Sequence, residues 1–300
     1  MAVGVTTLLD AVKREDLTDI LISVDPVATH LLSGLQRGPG AKGVLHEFPE
    51  YAIAAAADNA QAEGFAFTVG DLTSPTRNNN ICQIFAKHIQ VSRTEQLIET
   101  IPGDRFAFEV ERAMKEIAKD IELSLMGGSR ATGSTATGRR MDGIIASIST
   151  MKTARASGDS LSETVFNDIM AMVKGVTDEA VDEIYTSTTL KRDISGFTGR
   201  SGTRFVIPAT DLRVVNVTDH YQSDFGTHTI FWHRNLSNAA NAKELVGINT
   251  NYWAISYLDP LHSEKLPKES IDRDRAQLVA ELTLEDRAEK SSFYYSAFTG

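Results

Sequence analysis

Between Pro102 and Met126 the chain carries one long apolar stripe, in which Phe106, Val110, Met114, Ile117, Ile121 and Leu125 step by 4, 4, 3, 4 and 4 residues. That is the period of an α-helix with a single buried face. Glu111, Arg112, Lys115, Glu116, Lys119 and Glu122 occupy the other positions. Two i,i+4 pairs among them, Glu111 with Lys115 and Arg112 with Glu116, carry opposite charges and add about 0.2–0.5 kcal/mol each. The stripe matters more, because six apolar side chains at about 1.5–3 kcal/mol each give roughly 10 kcal/mol on burial. That figure is an upper bound, since unfolded chains already bury some surface. Pro102 suits a first helical turn and Gly127-Gly128 a stop. At ~1.5 Å per residue the helix is a rod of about 37 Å, expected to be the spine of the fold.

The segment leading into it is built differently. Residues 46–93 hold β-like runs at His46–Ile53, Phe65–Val69 and Ile81–Val91, and in the last of these Ile81, Phe85, Ile89 and Val91 share a face. VGDLTSPTRNNN, rich in turn formers, separates the last two runs, which predicts a long two-stranded hairpin between them. An isolated hairpin is marginal in water and needs support, either from an adjoining sheet of its own chain or from another subunit. Residues 1–45 read as an arm. Leu8, Leu9, Val12, Leu17, Ile20 and Leu21 fall at helical spacing up to Asp25-Pro26, and Leu31, Leu32 and Leu35 form a second patch ended by Gly38-Pro39-Gly40. Such an arm straps its own domain or lies partly on a neighbour.

Downstream of the helix, residues 129–140 are a Gly/Ser/Thr-rich stretch expected to be a flexible loop, followed by a buried-looking run, Met141–Ile148. A second helix is expected over Leu161–Lys174, opened by a capping box at Ser160-Leu161-Ser162-Glu163 and turning Phe166, Ile169, Met170 and Val173 inward. Helix and strand signals then alternate through Ile184–Thr186, TLKRDISGF, Thr203–Pro208, Leu212–Val217, His228–Trp232 and Tyr252–Tyr257, which is an α+β pattern and not a βαβ array. Leu278, Ala280, Leu282 and Leu284 alternate with polar neighbours, a strand expected to pack on the spine helix.

Net charge is -10, from 30 basic and 40 acidic residues, and a dedicated nucleic-acid binder needs the opposite balance. The single cysteine, Cys82, excludes an intrachain disulfide framework and reads as a buried thiol. The first twenty residues place acids where a signal peptide has its apolar run, and no stretch reaches the ~18 apolar residues of a membrane span, so a soluble, unexported chain is expected.

One cluster has the residue types of a metal-dependent hydrolase: His220, His228 and His233, beside Asp219 and Asp224. Its spacings of 8 and 5 match no compact ligand motif, and strand alternation turns the rings to different faces. Asp224-Phe225-Gly226 spells the kinase metal triplet without the loop, lysine or catalytic segment that gives it meaning. Gly127, Gly128, Gly133 and Gly138 lack the spacing and lysine of a phosphate-binding loop, although Arg130, Arg139 and Arg140 lie among them. No catalytic, cofactor-binding or metal residue is therefore assigned, and no enzyme activity or cofactor is expected.

The order of arm, long hairpin, spine helix, mixed domain and returning strand resembles the major capsid proteins of tailed phages. Local segments resemble the siphophage SU-ten-like major capsid family: REDLTDILISVDP (14–26), HEF with the Ala-rich run (46–57), PTRNNNICQIFAKHIQVS (75–92), RRMDGII (139–145), LKRDISGFTG (190–199), SDFGTHTIFWHR (223–234) and DPLHSEKLPKESIDRDRAQLVAELTLEDRAEK (259–290). The resemblance implies the Hong Kong phage capsid fold. Residues 1–45 would be the N-terminal arm, 46–93 the extended loop and 94–140 the peripheral domain with its spine helix (102–126). Residues 141–255 would be the axial domain, and 256–300 would return to the peripheral domain. It also implies a structural protein that self-assembles as hexamers and pentamers into an icosahedral head around double-stranded DNA, found in the virion and assembled in the bacterial host cytoplasm. Separate scaffold, portal and decoration proteins would be further partners, with no sequence-specific DNA binding and no membrane. An encapsulin-like compartment is the alternative within the same fold. The chain has no lysine from His46 to Ala86, which speaks against covalent joining through the loop, and about 45 residues ahead of the loop leave little room for a built-in scaffolding segment.

Overall fold

The computed structural model describes residues 29–51, 53, 56–66, 74–98, 103–134, 136–154, 159–197, 219–237, 239, 243–268 and 272–298. In chain order its elements are α1 (His30–Gly34), β1 (Gln36–Arg37), β2 (Leu45–Glu50), β3 (Thr76–Ile81), β4 (Gln83–Ser92), α2 (Arg93–Leu97), α3 (Arg105–Gly127), α4 (Ile144–Ser147), β5 (Lys152–Ala154), α5 (Glu163–Thr177), β6 (Glu183–Thr186), α6 (Thr188–Ser195), β7 (His220–Ser223), β8 (Gly226–Trp232), β9 (Lys243–Ile248), β10 (Trp253–Leu266), β11 (Arg273–Asp286) and β12 (Phe293–Phe298). The two runs expected at Thr203–Pro208 and Leu212–Val217 lie outside the described residues, as do the apolar positions of residues 8–21.

The spine helix forms because Asp104 caps it: its side chain accepts from the N–H groups of Phe106 (3.0 Å) and Ala107 (3.1 Å), satisfying donors that have no partner within the helix. The helix begins at Arg105, inside the expected start, and Gly128 ends it by donating to the Ser124 carbonyl at 2.9 Å. Both expected i,i+4 pairs are present, Lys115–Glu111 at 2.7 Å and Arg112–Glu116 at 3.4 Å. The apolar stripe needs correction at one end. Ala113, Ile117, Ile121 and Leu125 are buried, Phe106 and Val110 pack partly against the core, and Met114 is 38% exposed. Met114 stands at the edge of the stripe and meets water. The second half of α3 is covered on two sides, and Glu122 and Met126 are buried there as well.

A four-stranded sheet in the order β1-β10-β11-β4 supplies the surface under the spine. β10 and β11 form a long antiparallel hairpin of 14 residues a side. Leu278, Ala280, Leu282 and Leu284 are each at most 1% exposed and belong to the same core as Ile117, Ile121 and Leu125, so the expected returning strand is found, on the expected helix.

A second, six-stranded mixed sheet has the order β5-β12-β9-β6-β8-β7. α5 and α6 pack on it, with Phe166, Ile169, Met170, Val173, Leu190 and Ile194 buried. α5 starts at Glu163, and the cap is Ser162, which accepts from Val165 N at 3.3 Å, in place of the expected Ser160. β12 does not join the sheet under the spine, where the residues after 256 are expected. It pairs with β9 and β5. The reason is aromatic packing: Phe293, Tyr295 and Phe298 are buried in the second core, and Gly247 on β9 leaves the space Phe293 fills, since a Cβ there would lie 2.1 Å from its ring.

Residues 129–140 are not a free loop. Ala131 and Arg140 exchange both backbone hydrogen bonds, Ser134 closes a turn with Thr137, and Arg139 reaches Glu281 of β11 at 2.6 Å. At the base of this excursion Gly128 and Gly143 meet back to back. A Cβ on Gly143 would lie 2.6 Å from Gly128 N and from Ser124 O, and all its nearest atoms are backbone. Gly143→Ala is therefore expected to cost about 1–3 kcal/mol by forced displacement of backbone. Gly127→Ala, one residue before this junction and with nothing near its Cβ, is expected to gain about 0.5–1 kcal/mol from helix propensity. Urea unfolding of the two variants checks the opposite signs.

Candidate assembly surfaces

β2 and β3 form a two-stranded antiparallel ribbon, Leu45 opposite Ile81 and Glu50 opposite Thr76, that belongs to neither sheet. Of the expected hairpin, residues 67–69 of the Phe65–Val69 run lie outside the described residues, while β4, which carries most of Ile81–Val91, pairs with β11. The strand β3 is TRNNNI, a composition that reads as turn, and each asparagine has a job that explains it. Asn78 Nδ2 donates to Glu50 across the ribbon (2.7 Å). Asn79 Oδ1 accepts from Arg130 (2.7 Å). Asn80 is buried and fully satisfied: its Nδ2 donates to the Leu284 and Asp142 carbonyls (2.9 and 3.1 Å), and its Oδ1 accepts from Ile81 N and Asp142 N (2.8 and 2.9 Å). Asp142 Oδ1 in turn accepts from Arg130 N (2.8 Å), so the ribbon's second strand is bolted to the end of the spine.

The first strand is bolted to β11. His46 Nε2 lies 2.7 Å from Glu285 Oε1, Arg287 binds Glu285 Oε2 at 2.9 and 3.1 Å, and Ser256 donates to Oε1. Burial alone would raise the Glu285 carboxyl; the donors from Ser256, His46 and Arg287 outweigh it and hold the group below its ordinary value, so it stays ionised.

Tyr51, Phe65 and, at 88% exposure, Ile53 are large apolar side chains open to solvent. Residues 43–76 contain five acids, Glu47, Glu50, Asp58, Glu63 and Asp71, and no lysine or arginine. The hydrogen bonds of the described tip residues 56–66 are short-range: Ala60 N to Asp58, Gln61 to Asn59, Phe65 N to Ala62 O. A second surface lies along β4 and the first half of α3, where a groove of about 440 Å³ is lined by Lys87, Ser92, Arg105, Glu109, Arg112 and Glu116. Its charges are paired in a ladder, Arg105–Glu109 at 2.7 Å, Arg112–Glu109 at 3.0 Å, Lys87–Asp120 at 3.1 Å and Lys87–Glu116 at 3.5 Å.

One functional residue was hidden in the sequence. Glu122, grouped by periodicity with the charged face of the spine, is buried. Its Oε1 accepts from Leu31 N and His233 Nε2, and its Oε2 from Leu32 N, all at 3.0 Å. His233 Nδ1 accepts from Asn235 N at 3.3 Å, which leaves Nε2 as the ring's donor to Glu122. One carboxylate thus joins the arm helix α1, the spine and the six-stranded sheet.

The histidine cluster is dispersed. His220 is exposed on β7, opposite Thr229 and so on the other face from His228, which is buried, with Nδ1 donating to the Val181 carbonyl and Nε2 beside Ser223 Oγ (2.7 Å). Burial lowers the His228 pKa despite the Val181 carbonyl and the charge of Asp182, keeping the ring neutral. His233 serves Glu122, and Asp219 pairs with Lys191 at 3.3 Å. Among the described residues no three His, Cys, Asp or Glu side chains converge to hold a metal ion. Cys82 is buried, and its thiol is pushed up to about 11 by burial and then by Glu281, which makes it inert.

A family model described as SU10 major capsid protein matches residues 3–298. Among solved structures, the capsid of the native GTA particle is similar at a TM-score of 0.68 and 8% identity, covering 98% of each chain. The Microbacterium phage Oxtober96 structure is similar at 0.65 and 13%, covering 97% of each. The holo-SrpI encapsulin complex of Synechococcus elongatus PCC 7942 is similar at 0.61 and 8%, covering 96% of this chain and 93% of that one. No curated protein matches the sequence. At these identities the structural likeness is one of fold, the Hong Kong phage capsid fold of mixed helix and sheet.

Proposed function

Because the chain belongs to the SU10 major capsid protein family and is a phage capsid subunit, a component of the virion, we propose that its function is geometric: copies join as hexamers and pentamers and close into an icosahedral shell around double-stranded DNA, in the cytoplasm of the bacterial host. The observation that carries this reading is the β2–β3 ribbon, rooted firmly at His46 and Asn80, together with the solvent-exposed apolar residues Tyr51, Ile53 and Phe65 of the segment that joins its strands. Exposed apolar side chains on an arm of this kind are covered when it lies on the adjacent subunit. On the domain reading, residues 1–45 are the arm, 46–93 supply the extended loop, 94–140 and 256–300 make the peripheral domain, apart from β12, which pairs in the six-stranded sheet, and 141–255 the axial domain at the capsomer centre. Each contact is modest, and a subunit held at arm, loop and axial surface at once gains by multivalency. The five acids and absent lysines of residues 43–76 favour non-covalent joining of subunits through the loop. A net charge of -10 keeps the packaged DNA from adhering to the wall. The role is structural and not catalytic, with scaffold, portal and decoration proteins as separate partners.

The encapsulin match favours a second reading within the same fold, a compartment enclosing a cargo protein. Electron microscopy of the chain expressed alone and purified by size exclusion tests the proposal. Closed shells, tubes or rings of five and six are expected, and cargo protein inside the shells would favour the compartment. A uniform small particle that stays small on adding a scaffold partner would overturn assembly.

A further inference from the structure

Among the described residues of 141–255, three large apolar side chains are exposed: Met172 and Val176, one turn apart on α5, and Trp232 at the end of β8. They form two separate openings on opposite halves of the six-stranded sheet. Tyr295 of β12 donates to Met172 Sδ at 3.6 Å, which places that end of α5 over β12. Trp232 Nε1 donates to Thr188 Oγ1 at the start of α6, at 3.0 Å. In the strand order β9 and β6 stand between β12 and β8, a separation of three strand spacings or about 14 Å. The two openings differ in charge. Asp168 precedes Met172 by one turn, and Asp178 and Glu179 follow Val176; all three are exposed, while Lys174 is folded back on the Asp178 carbonyl at 2.6 Å. Beside Trp232 the exposed charges are Arg192, one turn after Thr188, and Arg234, two residues after the tryptophan. Lys191 on the same helix pairs with Asp219.

We propose that these are the two halves of one joint: the acid-rimmed Met172–Val176 face of one copy receives the arginine-flanked Trp232 corner of the next copy in a ring. A ring is closed by a heterologous contact, in which two different patches of the same chain meet. Placement on opposite halves of the sheet suits that geometry, because each copy then offers one patch to each neighbour. Charge decides against the self-complementary alternative. Pairing either patch with itself sets acid against acid or arginine against arginine, which is costly, whereas the crossed pairing sets arginines against carboxylates. The chemistry of the apolar parts fits as well: tryptophan and arginine are the usual anchors of protein interfaces, and methionine adapts its shape to what it covers. The proposal rests on the reading that copies join as rings of five and six; it does not rest on the role given to the ribbon.

Acrylamide quenching of tryptophan emission tests it on the full-length chain. The sequence has two tryptophans, and Trp253 is fully buried, with Nε1 bound to Ser292 Oγ at 2.8 Å, so the quenchable emission of the folded subunit belongs to Trp232. That component is expected in wild-type subunits and is expected to be lost in purified rings or shells. A variant carrying Met172→Lys and Val176→Lys sets cations against the arginines at two exposed positions, where substitution leaves folding intact. It is expected to stay a soluble subunit with Trp232 quenchable under conditions in which wild type forms particles. Wild-type particles in which Trp232 is quenched as readily as in subunits, or normal rings from the double variant, would overturn the pairing. Should the double variant fail to fold, the comparison of wild-type subunits with particles decides alone. A wild type that forms no rings, alone or with a scaffold partner, removes the ring reading and the pairing with it, so the two failures are read apart.

Discussion

Glu122→Ala is expected to lower the unfolding free energy by about 3–5 kcal/mol, the cost of removing one partner from a buried charged network. The carboxylate accepts from Leu31 N, Leu32 N and His233 Nε2, and alanine leaves all three donors buried with no acceptor. Each orphaned donor costs about 1–3 kcal/mol, less whatever the site recovers by relaxing. The effect spreads further than one site because the donors come from different layers. α1 is anchored by Leu31, fully buried in the main core, and by this carboxylate at its first turn. Losing the second anchor should release the arm helix before the sheets unfold. Glu122→Gln keeps an acceptor on one side and is expected to cost roughly half as much. Urea unfolding with hydrogen exchange read at residues 30–35 measures both; an alanine variant within about 1 kcal/mol of wild type, with α1 still protected, would refute the role given to Glu122.

Glu122 also marks where sequence reasoning stops. A helical period reports a helix's main partner, and α3 was legible in those terms: its stripe, its i,i+4 pairs and its contact with the alternating strand Leu278–Leu284 are all present. A second layer arriving from far along the chain, here α1 and the segment after β8, leaves no trace in that period, so Glu122 looked solvated and Met114 looked buried. β3 failed for a related reason. Asparagine is depleted in strands because it seldom gains from a pleated surface, and Asn78, Asn79 and Asn80 gain through partners 28, 51 and 62 or more residues away. The loop at 129–140 was misjudged because its Gly, Ser and Thr content was taken as freedom, when backbone pairing of Ala131 with Arg140 and the reach of Arg139 to Glu281 hold it. The family was legible for a different reason: the segments that carry it, such as 75–92 and 139–145, are those whose side chains make these long-range bonds.

Removing the tip is expected to separate folding from assembly completely. A variant lacking residues 53–74, with Tyr51 and Ala52 joined to Pro75 through a short glycine turn, keeps β2, β3 and both bolts of the root. Asn80 still binds Leu284 and Asp142, and His46 still meets Glu285. Of the described residues removed, Ile53 and Phe65 stand in solvent and Ala60 and Gln61 bond only to near neighbours, so stability should stay within about 1 kcal/mol of wild type. Assembly should not survive. A subunit in a closed shell is held by several contacts at once, and losing one reduces its avidity by about 10²–10⁴. That factor applies at every position of the shell together, so size exclusion should find soluble subunits or single capsomers where wild type gives particles. A cut that also took residues 76–81 would confound the result, because Asn80 would go with the tip and the end of the spine would lose its bolt. Normal shells from the tip deletion would show that the exposed apolar residues of the ribbon take no part in joining subunits, and would leave the arm and the axial surface to hold the shell alone.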